Sequence, residues 1–146
     1  PNANSYRRFA PGFFAPITPN WGPNHRNLSL RIPLSDDDNV RIEHRSAGAD
    51  ANPYLVVASV LAGMHHGLKK KSSPPKMINE SEVIDPEITL PVKWQDALDE
   101  FKKAEVLPNY FHEEFCRIFH HCRACELDRF SSQISNKDFE WYLRSI

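Results

Sequence analysis

Residues 40–55 read VRIEHRSAGADANPYL, and within them the chain changes from an alternating pattern to a helical one. Apolar and polar side chains alternate over residues 40–45, which is typical of a half-buried strand. Asn52 suits a helix N-cap and Pro53 suits the first helical position, so a helix is predicted from Tyr54 to Leu68. Because its apolar residues occur on nearly every side, we expect this helix to be buried.

A second alternating stretch lies upstream, in residues 27–33 (NLSLRIP). The polar residues 35–39 (SDDDN) that separate the two stretches are typical of a turn. We therefore predict that the two strands pair as antiparallel neighbours.

The rest of the chain is predicted to be helical after one long loop. Residues 72–91 are rich in proline and acidic residues and have weak periodicity, which indicates a loop crossing the surface. Apolar residues then recur at helical spacing in residues 94–101 and 111–130, and a last short helix is predicted after a cap at Asn136. We expect the aromatic stripes of these helices to face the core. The fold class is thus predicted to be α+β, with antiparallel strands in the first third followed by helices.

Composition excludes several classes of protein. The 146 residues, 40% hydrophobic and 25% charged, suit one globular domain, and a net charge of -1 argues against nucleic-acid or membrane partners. The longest apolar stretch, residues 54–64, is shorter than the roughly 20 residues that span a bilayer. The three cysteines do not form the disulfide framework of a small secreted protein. We expect a soluble cytoplasmic protein and, since the chain enters a motif almost at once after Pro1, a piece of a longer one.

Arginines are concentrated around the two predicted strands. Alternation places Arg41, Glu43 and Arg45 on one side of their strand, and pairing brings Arg31 towards them. Upstream arginines that extend this group are Arg7, Arg8 and Arg26. Clustered guanidinium groups repel one another unless anions lie among them, and their shape suits phosphate or carboxylate. Two interpretations stay open at this point: an anion site whose Glu43 holds a divalent cation, or a solvated strand face whose Glu43 simply neutralises its neighbours.

Several segments resemble, in order, motifs of the glutamine synthetase catalytic domain. They are residues 4–12 (NSYRRFAPG), 24–27 (NHRN) with 31–33 (RIP), 41–45 (RIEHR), 51–55 (ANPYL) and the ending 139–143 (FEWYL). The resemblance spans nearly the whole chain. It implies that residues 1–146 are the C-terminal part of such a domain, with the N-terminal domain and the first part of the catalytic domain absent.

The resemblance also implies roles for individual residues. Arg8 and Arg45 match arginines that bind the substrate glutamate, and Arg26 matches the catalytic arginine that faces the transferred phosphoryl group. The match also implies that ATP phosphates are contacted by Arg31 and Arg41, and that a divalent metal is bound by Glu43. The implied cofactors are ATP and Mg²⁺ or Mn²⁺.

The family's chemistry makes an amide in two steps. ATP converts the glutamate side chain to γ-glutamyl phosphate, and an amine then displaces phosphate. The resemblance implies glutamate and an amine as substrates and a homo-oligomeric ring with active sites between subunits. Because the family's other metal ligands lie upstream of these motifs, we expect residues 1–146 alone to be inactive.

One motif departs from the family pattern. Glutamine synthetases typically read PGYEAP at the flap over the active site, where the glutamate helps to take a proton from ammonium, whereas residues 11–16 read PGFFAP. Phe14 stands in place of that acid and cannot accept a proton. The chain is therefore more similar to the γ-glutamyl-amine ligases, such as γ-glutamylputrescine synthetase, in which an apolar side chain suits the carbons of a larger amine.

Two rival functions and one rival site remain. The rivals are a true glutamine synthetase that uses ammonia, and a non-catalytic structural or binding relative, although a non-catalytic protein has no chemical reason to keep the arginines. The rival site is a zinc site, which we do not favour. Structural zinc sites usually need a second ligand pair from a separate segment, and the candidate ligands all fall in one helical stretch. They are Cys116, His120, His121, Cys122 and Cys125. His65 and His66 are predicted to be packing or capping groups.

Overall fold

The structure, a computed structural model, describes residues 1–10, 13–84 and 88–144. The described strands are β1 (Trp21–Pro23), β2 (Leu30–Ile32) and β3 (Glu43–His44). The α-helices are α1 (Pro53–Lys70), α2 (Trp94–Lys103), α3 (Pro108–Phe111), α4 (Glu113–Ser131) and α5 (Asn136–Tyr142). Short 3₁₀ helices occupy Ser5–Arg8 and Asp37–Asn39. The predicted α+β fold, with early strands followed by helices, is confirmed.

The strands form one small sheet in the order β1-β2-β3. β2 and β3 pair antiparallel, as predicted, with Leu30 opposite His44 and Arg31 opposite Glu43. β1 had no signal in the alternating pattern, and it pairs parallel to β2. The ladders are shorter than the alternating stretches predicted, because hydrogen bonding covers only two or three residues of each.

α1 begins as predicted. The Asn52 side chain accepts hydrogen bonds from the backbone N–H groups of Tyr54 and Leu55, and Pro53 is the first helical residue. The helix ends at Lys70, and its C-cap residue Lys71 has a left-handed φ of 52° and an N–H that closes the last turn. The lysines at this end lie where the helix dipole favours positive charge.

The prediction that α1 is buried is wrong within the described residues. Ala62 is its only buried residue, whereas Tyr54 is 84% and Leu68 is 79% exposed. One side of α1 lines an open groove of about 1420 Å³, which is also lined by residues of the sheet, α2 and α4. A helix that is apolar on all sides needs packing partners on all sides, and the described residues cover only part of it.

The helical core is formed mainly by α2 against α4. Trp94 and Leu98 of α2 are buried, as expected for a core stripe, and Phe101 meets Phe119 of α4 with ring centroids 5.5 Å apart. The expectation that the later aromatic stripes face the core is wrong for Phe130 and other residues that are more than half exposed: Phe139, Tyr142 and Leu143. These positions carry the right spacing, but no described element packs over them.

Two helix boundaries differ from the predictions. The long helix begins at Glu113 rather than Phe111, because His112 has a φ of 67° and interrupts the chain there. The last helix is capped by Ser135 rather than Asn136, in a reciprocal pair of hydrogen bonds with Asp138.

The long loop is attached to β1. In its described part, residues 72–84 and 88–91, it forms no helix or strand, as predicted. The Ile78 N–H donates to the Trp21 carbonyl at 3.0 Å, and the Trp21 indole N–H donates to the Pro75 carbonyl at 2.8 Å. Of the helices that the structure describes, none has the length and apolar character needed to cross a bilayer.

Candidate active site

Glu43 is held between two arginines. Arg31 Nη2 lies 2.7 Å from Glu43 Oε2, and Arg41 Nη2 lies 3.3 Å from Glu43 Oε1. Burial alone would raise the pKa of Glu43, but the hydrogen bonds and charges of Arg31 and Arg41 outweigh it and lower that pKa. The predicted approach of Arg31 to the strand face of Glu43 is confirmed, and the carboxylate neutralises part of the cluster.

Arg8 belongs to a second group, centred on the turn that leads into α1. Its guanidinium donates to the Ser46 carbonyl, and its Nε is buried without a hydrogen-bond partner among the described residues. Burial lowers the pKa of Arg8, which the charge of Asp50 partly offsets. Asp50 is in turn held by the Ser5 hydroxyl at 2.6 Å. Gly48 fits closely here, since a Cβ added to it would lie 2.7 Å from Asp50 Oδ1.

Arg45 connects the two groups. Its Nη2 donates to the Phe14 carbonyl at 3.0 Å, and its Nε is buried and has no partner in the part of the chain that the structure describes. Burial lowers the pKa of Arg45, and the charges of Arg31, Arg26 and Arg8 lower it further against the opposing charge of Glu43. The arginines predicted from sequence are therefore close enough to repel one another, and an anion bound among them would relieve that repulsion.

Arg26 lines a separate small cavity with Phe14. The Arg26 guanidinium carbon lies 5.7 Å from the centroid of the Phe14 ring, within the range of a cation–π contact. The cavity has a volume of about 360 Å³, and its lining is completed by Asn24, His25, Asn27, Arg31 and Glu80. The Phe14 ring is 64% exposed, so the cavity is open on its apolar side.

Glu80 is the residue of this cavity that the sequence analysis missed. It comes from the long loop and accepts a hydrogen bond from Asn24 Nδ2 at 3.2 Å, across 56 positions of sequence. A polar residue in a loop without periodicity gives no local signal for such a position. Residues 1–35 contain no Asp or Glu, so the carboxylate of this cavity comes from a distant part of the chain.

The cysteine and histidine residues of α4 form no ion-binding group in the described ranges. Cys125 Sγ lies 3.7 Å from His121 Nε2, but no set of three or more His, Cys, Asp or Glu side chains converges among residues 1–10, 13–84 and 88–144. His65 Nδ1 is 3.0 Å from the Tyr110 hydroxyl, which agrees with a packing role for that histidine.

Comparison with known proteins decides the family. Residues 1–142 match the family described as glutamine synthetase, catalytic domain. The chain belongs to the glutamine synthetase family. It is 41% identical over 145 residues to γ-glutamylputrescine synthetase of Escherichia coli, covering 99% of this chain and 31% of that protein. It is 32% identical over 151 residues to type-1 glutamine synthetase 2 of Dictyostelium discoideum, covering 100% of this chain and 29% of that protein.

A solved structure has the same fold over nearly the whole chain. The structure titled "Apo GmaS without ligand" superposes with a TM-score of 0.78 at 25% identity, covering 99% of this chain and 33% of that chain. The chain thus spans about a third of the length of the relatives that it matches. Both the family resemblance and its tendency towards γ-glutamyl-amine synthetases are confirmed.

The side chains of this glutamine synthetase-family site are mostly hydrogen-bond donors, which suit a bound anion. They do not by themselves form a complete metal site. The buried, unpartnered Nε atoms of Arg8 and Arg45 are donors that a carboxylate or phosphate satisfies. Glu43 offers a divalent cation one carboxylate ligand, and phosphate oxygens would supply others. Both carboxylate oxygens of Glu43 are engaged by arginines in this structure. The described residues fit a metal only as one part of its coordination shell.

Proposed function

We propose that this chain is part of an ATP-dependent ligase that joins glutamate to an amine larger than ammonia, forming a γ-glutamyl amide. The observation that carries the proposal is the apolar Phe14 ring beside Arg26 at an open cavity. A phenyl ring packs well against the methylene groups of an alkylamine, and it cannot accept a proton from ammonium. The Phe14 ring therefore suits an alkylamine better than ammonium. The 41% identity to γ-glutamylputrescine synthetase supports the same subgroup.

The chemistry requires stabilisation of negative charge in both steps. The γ-carboxylate of glutamate is a poor electrophile, so its oxygen first attacks the terminal phosphorus of ATP and releases ADP. The amine nitrogen then forms a bond to the γ-carbon, loses a proton, and phosphate departs. Fixed guanidinium groups stabilise the charge that develops on the phosphoryl and carbonyl oxygens.

We assign the arginines to these steps as follows. Arg26, which lies at the cavity, contacts the transferred phosphoryl group. Arg8 and Arg45, which are half-buried and carry unpartnered Nε atoms, bind the carboxylates of glutamate. Arg31 and Arg41, on the face of Glu43, contact the phosphates of ATP.

A divalent cation, Mg²⁺ or Mn²⁺, would be held in part by Glu43. When bound, such a cation neutralises phosphate charge. Arg31 and Arg41 keep Glu43 ionised, and an ionised carboxylate is the form that binds a cation.

A second candidate is a glutamine synthetase that uses ammonia. The 32% identity to a type-1 glutamine synthetase favours it. For either candidate we propose a homo-oligomeric ring in the cytoplasm as the intact assembly, and no activity for residues 1–146 alone.

The test is ADP release by the full-length protein with ATP, Mg²⁺ and glutamate, comparing ammonium with putrescine, spermidine and ethanolamine. We expect turnover with at least one of the larger amines and little with ammonium. Turnover with ammonium alone contradicts the proposal in favour of the second candidate. ADP release with none of these substrates, together with no ATP binding, indicates a non-catalytic relative.

A further inference from the structure

Glu80 brings a negative charge to the cavity of Phe14 and Arg26. Its carboxylate lines the same 360 Å³ space, where the other ionised side chains are Arg26 and Arg31. Arg31 is already paired with Glu43. Glu80 accepts a hydrogen bond from the neutral Asn24 amide, and no ion pair engages it among the described residues. The negative charge of Glu80 is therefore available to pair with a cation that enters the cavity.

The position of Glu80 is set by the contact of Ile78 with β1 and by the hydrogen bond from Asn24. Two residues earlier, Ile78 is hydrogen-bonded to Trp21 of β1, and the close fit of Gly22 against the Ile78 carbonyl brings the loop against the strand. A Cβ at Gly22 would collide with that carbonyl oxygen. Asn24, which holds Glu80, has a φ of 52° and donates its own N–H to the Ile32 carbonyl at 2.9 Å. A loop residue that is otherwise exposed is thus held at the cavity by the sheet.

The residues that line the cavity offer different contacts to the different parts of an amine substrate. The reacting nitrogen must be neutral when it attacks the acyl phosphate, so its carbon chain and its far end offer the remaining contacts. Phe14 offers an apolar surface for the carbons, and Glu80 offers an anion for a positive far end. A positive far end near Arg26 would be repelled without such an anion.

Building on the proposed ligase function, we propose that Glu80 binds the distal ammonium group of an α,ω-diamine substrate. Glu80 is then a specificity-determining residue, and Asn24 is the positioning residue that orients its carboxylate. The amine class favoured by the cavity is a short diamine, with Phe14 against its methylene groups.

The test compares two amines that differ only at the far end. Full-length wild type and Glu80→Gln are assayed for ADP release with saturating ATP, Mg²⁺ and glutamate, using 1,4-diaminobutane or butylamine. The matched control is Glu82→Gln, two residues along the same loop, whose carboxylate contacts Lys76 and Asn79 and does not line the cavity. We expect Glu80→Gln to lower kcat/KM for the diamine about 10- to 100-fold, mainly through KM, as for loss of a hydrogen bond to a charged group. Butylamine turnover is expected to stay within twofold, and the control is expected to leave both amines unchanged.

A charge reversal gives a second, independent result. With Glu80→Lys, we expect the preference to move from the diamine towards 4-aminobutanoate, whose far end is a carboxylate. Equal loss with butylamine and the diamine in Glu80→Gln would overturn the proposal, since it would place Glu80 at the reacting nitrogen. Unchanged diamine kinetics would also overturn it, while leaving the ligase function intact. If the wild type uses ammonium and no larger amine, the ligase proposal itself fails.

Discussion

Arg31 and Glu43 face each other across β2 and β3, with 2.7 Å between Nη2 and Oε2. The pair places a carboxylate in a strongly positive cluster, and together with Arg41 it lowers the pKa of Glu43 despite the opposing effect of burial. Glu43 therefore stays ionised in the folded protein at a pH where a free glutamate is partly protonated. The contribution of Glu43 to the free energy of unfolding therefore depends on pH, and it decreases as the pH falls.

We predict that the stability difference between wild type and Glu43→Gln depends on pH. A lowered pKa in the folded state gives a stabilisation that is complete above the unfolded pKa, about 4.3 for glutamate. The stabilisation is lost as pH falls through the lower pKa of the folded state. Thermal unfolding of both full-length proteins from pH 3 to 7 measures it, and a difference that grows towards low pH would contradict the ion pair.

Arg26→Ala is expected to reduce phosphoryl transfer and leave the fold intact. Arg26 is exposed at the rim of its cavity, so its removal leaves no cavity in the core. Loss of one fixed donor to developing charge typically lowers kcat by about 100- to 1,000-fold. ADP release and circular dichroism are measured together. The control is Arg7→Ala, an exposed arginine whose contact is the neighbouring Asn4, and it should retain wild-type turnover.

Phe14→Glu is expected to shift the amine preference towards ammonium. The change restores the acid that glutamine synthetases carry at this motif position, and a carboxylate both attracts ammonium and accepts its proton. Glutamine formation should rise and turnover of the larger amine should fall. Phe14→Leu retains an apolar side chain and should keep the wild-type preference. If Phe14→Glu changes neither rate, the flap position does not select the amine.

Gly48→Ala is expected to weaken glutamate binding through Arg8. The added Cβ would lie 2.7 Å from Asp50 Oδ1, so the Asp50 carboxylate, whose charge acts on Arg8, must move. We expect the KM for glutamate to rise several-fold with little change in the KM for ATP. Gly63→Ala is the matched control, because a Cβ there meets nothing within 4 Å. Equal kinetics for the two variants would contradict the coupling of Gly48 and Asp50 to the glutamate site.

Asn52→Ala is expected to destabilise the protein by about 1 kcal/mol, since it removes the side chain that caps α1. Asn52→Ser keeps a capping oxygen and should lose much less. Chemical denaturation of the full-length variants measures the difference. Equal stability of the Ala and Ser variants would indicate that the cap contributes little in the assembled protein.

Features encoded locally were predictable from sequence. The start of α1 follows from Asn52 and Pro53, and the approach of Arg31 to Glu43 follows from strand alternation on either side of a polar turn. Each of these depends on side chains within a few residues of one another or on a single short connection.

Features that depend on distant partners were not predictable. The apolar sequence of α1 indicates that it can be buried, but it does not say what covers it, and Tyr54 and Leu68 remain exposed here. Glu80 reaches the Phe14 cavity only because a loop 56 positions from Asn24 returns to β1. No periodicity or cap in residues 72–84 encodes that return.

The sheet register also limits how the sequence can change in length. Gly22, Arg31 and Glu43 stand in one row across the three strands, and the loop residue Ile78 contacts that row at Gly22. Because strand side chains alternate between faces, a shift of one residue in the pairing of β2 with β3 would turn Glu43 to the opposite side of the sheet from Arg31. Insertions or deletions inside either strand are therefore tolerated far less readily than changes in the length of the connection between them, residues 33–42. The charge pair thus ties the pairing register of the two strands to the site, while the connection is free to vary in length.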